Sequence, residues 1–231
     1  MRLLAIDAAL PAVSACVLDH DGAAPLAEET IPMERGHAEA LPLLLERVVG
    51  RVDGGFPSID RVAVTVGPGS FTGIRIGLAA GQAVALALGC EIVGVSTLAA
   101  LAAPLILEPL DGVAAAAIDA RHGQVYVAAY GPDGRALLAP RRAGAHEALR
   151  ALGDGPLLLA GSGAPLLARE ARASGVPARI VSEAAAPDIA FVARLGLAAS
   201  PAAAPARPLY LKAPDAKPMA GAAAENRQGA P

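Results

Sequence analysis

Hydrophobic positions along the first hundred residues fall into short runs cut by turn residues, with one long stretch of helical spacing between them. Residues 3–7 and 13–19 are apolar runs joined through Pro11, which predicts a β-hairpin. Asp21-Gly22 marks the next turn, and residues 26–31 read as a third strand. From His37 to Val52 the period changes: Leu41, Leu44, Leu45, Val48, Val49 and Val52 share one helical face. Pro42 lies near the start of that helix, where a missing N–H costs little. Residues 61–66 are β-branched and apolar, hence a buried strand. It runs into Gly67-Pro68-Gly69-Ser70-Phe71-Thr72-Gly73, and a helix follows to Leu88, with Gly89 placed to end it in a left-handed turn. Residues 92–95 form another strand.

The second half repeats this plan. Residues 113–119 and 124–130 are strands, Pro132-Asp133-Gly134 is a turn, and residues 157–160 lead through Gly161-Ser162-Gly163 into a helix over 164–173. Ala5-Ile6-Asp7-Ala8 and Ala117-Ile118-Asp119-Ala120 hold matching places 112 residues apart. Each is a strand ending in Asp before a hairpin, and each half has a later strand, glycine loop and helix. Two copies of one α/β unit account for the length, the paired Asp and the paired glycine loops together. The expected division is 1–100, 101–212 and a disordered tail over 213–231, where Pro, Ala, Gly, Asn and Gln dominate.

Composition narrows the function classes. Hydrophobic residues are 54% and charged residues 18% of the 231, which excludes global disorder. Aromatics are 3% with no Trp, so the core is built from Ala, Val, Leu and Ile, and stacking on bare nucleic acid is disfavoured. A formal net charge of −3 also argues against strong intrinsic nucleic-acid binding. Cys16 and Cys90 stand far apart without metal-ligand spacing, which suits reduced thiols and a cytoplasmic setting. The N-terminal apolar run meets Asp7 too soon to be a secretory segment. Mean hydropathy is +0.47, yet the apolar stretch over 92–107 is broken by Ser96, Thr97 and Pro104, and a membrane span is not expected.

The glycine loop is the sharpest chemical feature. Its glycines and the following helix N-terminus would suit a phosphate or carboxylate, with Arg75 the nearest cation. No Gly-Lys-Ser/Thr follows, so it is not a P-loop, and Pro68 and Thr72 stand where a nucleophile elbow needs glycine. The alternative is a tight turn with Ser70 or Thr72 capping the helix. Gly73, Gly77, Gly81 and Ala85 recur every fourth residue, giving that helix a face almost without side chains. Each helical glycine costs about 0.5–1 kcal/mol relative to alanine. A close backbone approach must offset this: either the protein's own sheet, or another subunit with the helix starting at His37 sharing the contact. Asp7 and Asp119 are either turn residues or acids that hold a metal–phosphate. For His37 a metal site would need a second histidine where Leu41 stands, so no metal site is expected. Arg141-Arg142 reads as a solvated basic pair.

These motifs resemble a known family. Arg35-Gly36-His37-Ala38-Glu39, the run from Val66 through the glycine loop to Gly77, Gly94-Val95-Ser96-Thr97-Leu98, Ile118-Asp119-Ala120-Arg121 and the segment from Pro208 to Ala216 are similar to those of TsaB, formerly YeaZ. The resemblance is strong over residues 1–100, good over 113–131, and returns near 208–216. It implies an actin-like ATPase fold of two RNase H-like subdomains, with mixed sheets flanked by helices. It implies a non-catalytic subunit that binds TsaD and works with TsaE in making N6-threonylcarbamoyladenosine at position 37 of tRNA. TsaD would hold the metal through His-x-x-x-His, and ATP and metal would belong to the partner subunits, none being bound by this chain alone. The implied interface uses the helices carrying His37, Leu41, Leu44, Leu45 and Val48 and carrying Gly73, Ile74, Gly77, Gly81 and Ala85. An exposed apolar interface also favours a homodimer of the isolated chain. Asp7, Gly67, Gly69, Ser70, Thr72, Arg75 and Asp119 would mark a vestigial nucleotide cleft. Two departures stand out: Ala8-Ala9 replaces the family's hydroxyl residues after the first strand, and Lys212 replaces an Arg. An ATP-dependent phosphotransferase using Asp7 and Asp119 is the alternative, and a metallopeptidase the weaker third.

Overall fold

The structure, a computed structural model, describes residues 1–107 and 112–211. Lys212 and the tail expected over 213–231 lie outside the described residues. Five strands open the chain: β1 (Arg2–Asp7), β2 (Ala12–Asp19), β3 (Ala27–Pro32), β4 (Arg61–Gly67) and β5 (Glu91–Ser96). Three helices accompany them: α1 (His37–Val49), α2 (Phe71–Leu88) and α3 (Thr97–Ile106). The second series is β6 (Val113–Asp119), β7 (Gln124–Tyr130), β8 (Ala136–Gly144), α4 (Ala145–Leu152), β9 (Leu157–Ala160), α5 (Ala164–Ser174), β10 (Ala178–Ser182) and α6 (Ile189–Ala198).

The two sheets have one topology. The first runs β3-β2-β1-β4-β5, and the second, in matching order, β8-β7-β6-β9-β10. In each, the first three strands pair antiparallel and the last two join parallel. Asp7 and Asp119 close β1 and β6, so the repeat expected from sequence is structural: two RNase H-like units of mixed sheet and helices, the actin-like duplication.

Burial explains the elements. β1 and β2 are apolar on both faces because helices cover both faces. On one face α1 lays Leu41, Leu44, Leu45 and Val48 against Val13, Ala15 and Val17. Their relative exposures are at most 5%, so they belong to the lobe's own core. On the other face lies α6, whose Ile189, Val192 and Ala193 meet Leu3, Ala5, Cys16 and Ala63. α3 in turn places Leu98, Leu101 and Ala102 on Ala116, Ile118 and Ala128 of the second sheet. Each half thus lends its last helix to the other. The contiguous blocks 1–100 and 101–212 therefore share elements: α3 crosses the first boundary, and α6 completes the first lobe rather than the second.

After α6 the chain runs back along the first lobe. Gly94 N–H donates to Ala204 O at 2.8 Å and Leu209 N–H to Val66 O at 2.8 Å. A Cβ at Gly94 would lie 2.6 Å from Pro205 O, so glycine is required where this segment crosses β5. The segment ends at the start of α2, where Tyr210 stacks near Phe71 with ring centroids 5.2 Å apart.

Candidate functional site

The glycine loop meets the end of β1. Ser70 caps α2 by accepting from Gly73 N–H at 3.2 Å, and its own N–H donates to Ala9 O at 2.7 Å. A Cβ at Gly69 would stand 2.2 Å from Ala9 O, and one at Gly73 would stand 2.0 Å from Ala8 O. The Ala8-Ala9 backbone therefore packs onto the first turn of α2, where a phosphate would otherwise sit. The glycines serve this close contact with the protein's own carbonyls. The second half repeats the device: Gly163 N–H donates to Ala117 O at 2.9 Å, and a Cβ at Gly161 would meet the same carbonyl at 2.3 Å.

The glycine stripe has the same correction. Beyond Gly73, a Cβ at Gly77 would lie 3.6 Å from Ala8 Cβ and Val64 Cγ2, and one at Gly81 3.2 Å from Ile92 Cδ1. Gly73, Ile74, Gly77, Gly81 and Ala85 are all buried. With Leu41, Leu44, Leu45 and Val48 also buried, the interface residues expected from the resemblance face inward; His37 alone among them is partly exposed. The physical reason is that a bare helix face gains most by meeting the adjacent sheet, 4 Å or less away.

What α2 leaves outside is the opposite stripe. Phe71, Thr72, Arg75, Ala79, Gln82, Ala83, Leu86 and Ala87 are exposed, Leu86 at 85%. Arg75 is the stripe's single charge, held over the Phe71 ring at 3.8 Å with its Nε donating to Tyr210 Oη at 3.0 Å. α2 is the helix among the described residues whose length and mean hydropathy of 1.5 suffice to cross a membrane, yet its glycine face is seated on β4. Leu43 of α1 stands 58% exposed on the same lobe.

Between the lobes lies a cleft of about 340 Å³, with Leu10, His37 and Ser70 on one wall and Asp119, Arg121 and Tyr126 on the other. His37 Nε2 is 3.1 Å from Leu10 O. Asp119 is exposed; its Oδ1 accepts from Arg121 N–H at 2.8 Å and its own N–H donates to Ser162 Oγ at 3.2 Å. Asp7 is wholly buried and does not line the cleft. Its Oδ1 accepts from the Thr65 hydroxyl and from Ala9 N–H, while Oδ2 has no partner. Burial pushes its carboxyl above the ordinary carboxylate range, against those two hydrogen bonds and the nearby charge of His37. The cleft thus gathers Gly69, Ser70 and Asp119 from the expected set and omits Asp7, Gly67, Thr72 and Arg75. The two Asp do not face one another across a shared nucleotide. Tyr126 was not legible as a lining residue, since only the β6–β7 pairing carries it there.

Known proteins place the chain. The family model described as TsaD, tRNA N6-adenosine threonylcarbamoyltransferase, matches residues 27–155. An uncharacterised protein of Mycobacterium tuberculosis is 35% identical over 218 residues, 94% of this chain and 95% of that one. The Escherichia coli tRNA threonylcarbamoyladenosine biosynthesis protein TsaB is 37% identical over 133 residues, 58% of this chain and 56% of that one. A Pseudomonas aeruginosa crystal structure described as similar to peptidase YeaZ superposes with a TM-score of 0.72 at 28% identity, covering 91% of this chain and 99% of that one. With the duplicated fold and the sealed glycine loop, these matches make the chain a member of the TsaD family, grouping within it with the TsaB (YeaZ) proteins.

Proposed function

We propose that this chain is the TsaB-type subunit that supports TsaD in N6-threonylcarbamoylation of adenosine 37 in tRNA, without itself performing the transfer. The kinship with TsaB carries the assignment to the pathway. The observation that supports a supporting role is the outward stripe of α2. A surface of Ala79, Ala83, Leu86 and Ala87, with Gln82 and the single charge of Arg75, is built to be covered, and Leu43 is exposed on the same lobe. TsaD, as the paralogue sharing the α/β unit, is the partner we assign to it. This keeps the helices named from the resemblance and reverses the face.

Lone His37 beside buried Leu41, and Asp7 sealed away from the cleft, fit a subunit that leaves metal and ATP to its partners. TsaE joins the complex and tRNA is met through it, in the cytoplasm. Without TsaD the same stripe favours self-association of the isolated chain. Co-purification of tagged TsaD with Leu86→Glu and Ala83→Glu variants tests the assignment. Pairing is lost while the variants remain folded, because neither side chain contributes to the core. Undiminished pairing with both variants rules out this face.

A further inference from the structure

Five of the six arginines of the first lobe are used internally, Arg35 being the exception. Arg2 pairs with Asp19, Arg47 and Arg51 with Glu29, Arg61 with Glu91, and Arg75 with Tyr210. Most arginines of the second lobe are not, Arg121 and Arg142 among them. Among the described residues, the side chains of Arg121 and Arg142 have no hydrogen-bond or ion-pair partner, and Nε of Arg142, like that of Arg61, is buried without one. A buried guanidinium N–H with no acceptor is rare enough to need a reason.

The fold brings the two arginines to one place. Arg142 on β8 stands directly across from Tyr126 on β7, and Tyr126 and Arg121 line the same wall of the interlobe cleft. Cross-strand partners put their Cβ atoms about 4.5–5.5 Å apart, so the two side chains leave the sheet as neighbours on one face. The turn presenting Arg121 is held in an uncommon shape. Arg121 and His122 have φ of 64° and 53°, a left-handed conformation uncommon for non-glycine residues. Asp119 Oδ1 fixes it by accepting from Arg121 N–H. Charge follows the same division: residues 1–107 carry six arginines against eleven acids, and residues 112–187 eight against six.

We infer that this wall of the second lobe is a contact for the phosphodiester backbone of RNA. Arg121 and Arg142 neutralise phosphates, and Tyr126 on the same wall offers a flat face to a ribose or base. A compact nucleoside triphosphate fits less well. Deep in the cleft its charge would meet Glu34 on the facing wall and Asp119 beside Arg121, whereas a strand along the outer wall keeps its phosphates on the arginines. The contact is small, in keeping with the net charge of −3: it adds to an affinity whose larger share comes from elsewhere. The identity of the polyanion rests on the function proposed above; the unpaired cations do not.

The test uses the full-length chain and fluorescence anisotropy of labelled, unmodified tRNA, read between about 50 and 200 mM salt. Arg121→Asn suits the left-handed turn and Arg142→Gln keeps the polar shape, so the double variant loses charge with little disturbance. It should weaken binding about tenfold at the lower salt and reduce the slope of log affinity against log salt by about 1–2. Arg142→Lys should retain most of the affinity. Equal affinities for wild type and double variant, including no binding by either, overturn the inference, as does loss of Mg-ATP binding with tRNA binding intact. Size-exclusion chromatography with TsaD separates the two proposals. A double variant that still pairs with TsaD but binds tRNA like wild type removes this contact alone. A wild type that fails to pair, yet shows the arginine dependence, removes only the assigned partner.

Discussion

Gly73 and Gly77 lie one turn apart on the same face of α2 and have opposite tolerances. A methyl at Gly73 would enter the Ala8 carbonyl at 2.0 Å, so Gly73→Ala costs about 3 kcal/mol or more, because the obstacle is backbone and cannot rotate away. At Gly77 the new methyl would meet side chains at an ordinary 3.6 Å, so Gly77→Ala gains the helix propensity of alanine, about 0.5–1 kcal/mol. Urea unfolding of both variants checks the pair; equal and opposite-signed failure, with Gly73→Ala tolerated, contradicts the seated helix. Gly77→Leu would disturb the core and says nothing of a partner. The spacing of the glycines made a close approach legible, but no sequence pattern names what approaches, and the nearer surface was the protein's own. Asp7 carries a second expectation at this scale. Its carboxyl is held above the ordinary value by burial, so the neutral form is the one folding favours. Its contribution is therefore fully present below the unfolded value of about 3.9 and is lost as pH rises through the folded value. Asp7→Asn stays neutral and keeps an oxygen for Thr65 and Ala9. Its stability relative to wild type should grow as pH rises from about 4 and level off above the folded value, in urea titrations across that range. A pH-independent difference would mean the carboxyl is not under this strain.

Strands β1, β2, β4, β6 and β7 and helices α1 and α2 follow from hydrophobic spacing because each has one clear face or a short apolar run ended by Gly or Asp. α3 and α6 escape that logic. α3 is apolar almost all round, since Ala100 meets the first sheet while Leu101 and Ala102 meet the second, and periodicity vanishes when both sides are covered. β8 is obscured by Pro140 and by irregular pairing opposite Val127 and Ala129. The exchange of α6 has a measurable consequence. It covers Cys16, whose thiol burial pushes up to about 12, so the native chain leaves Cys16 unreactive. Ile189→Ala, at a position 2% exposed, should cost about 2–5 kcal/mol and raise the rate at which a thiol reagent reaches Cys16. An unchanged Cys16 rate in that variant would show that α6 does not guard the first sheet.

At the scale of the molecule, each lobe is incomplete without the other's last helix. Heat should therefore melt the protein in one calorimetric transition, with van't Hoff and calorimetric enthalpies equal. Two transitions would show lobes that fold apart. The duplication was legible in the matching Asp7 and Asp119 strands; the exchange was not, because it depends on which sheet a uniformly apolar helix finds. Ala8-Ala9 packs against the glycine loop and Asp7 is buried, while the outer stripe of α2 is left bare. The inward contact and the bare outer stripe thus belong to one element. The most direct measurement is threonylcarbamoylation of tRNA reconstituted with TsaD, TsaE and this chain, comparing wild type with Leu86→Glu. Wild type should sustain formation of the modified nucleoside, and Leu86→Glu, folded but unpaired, should reduce it to the level seen without the chain. Full activity with Leu86→Glu, or with the chain left out, would contradict the account.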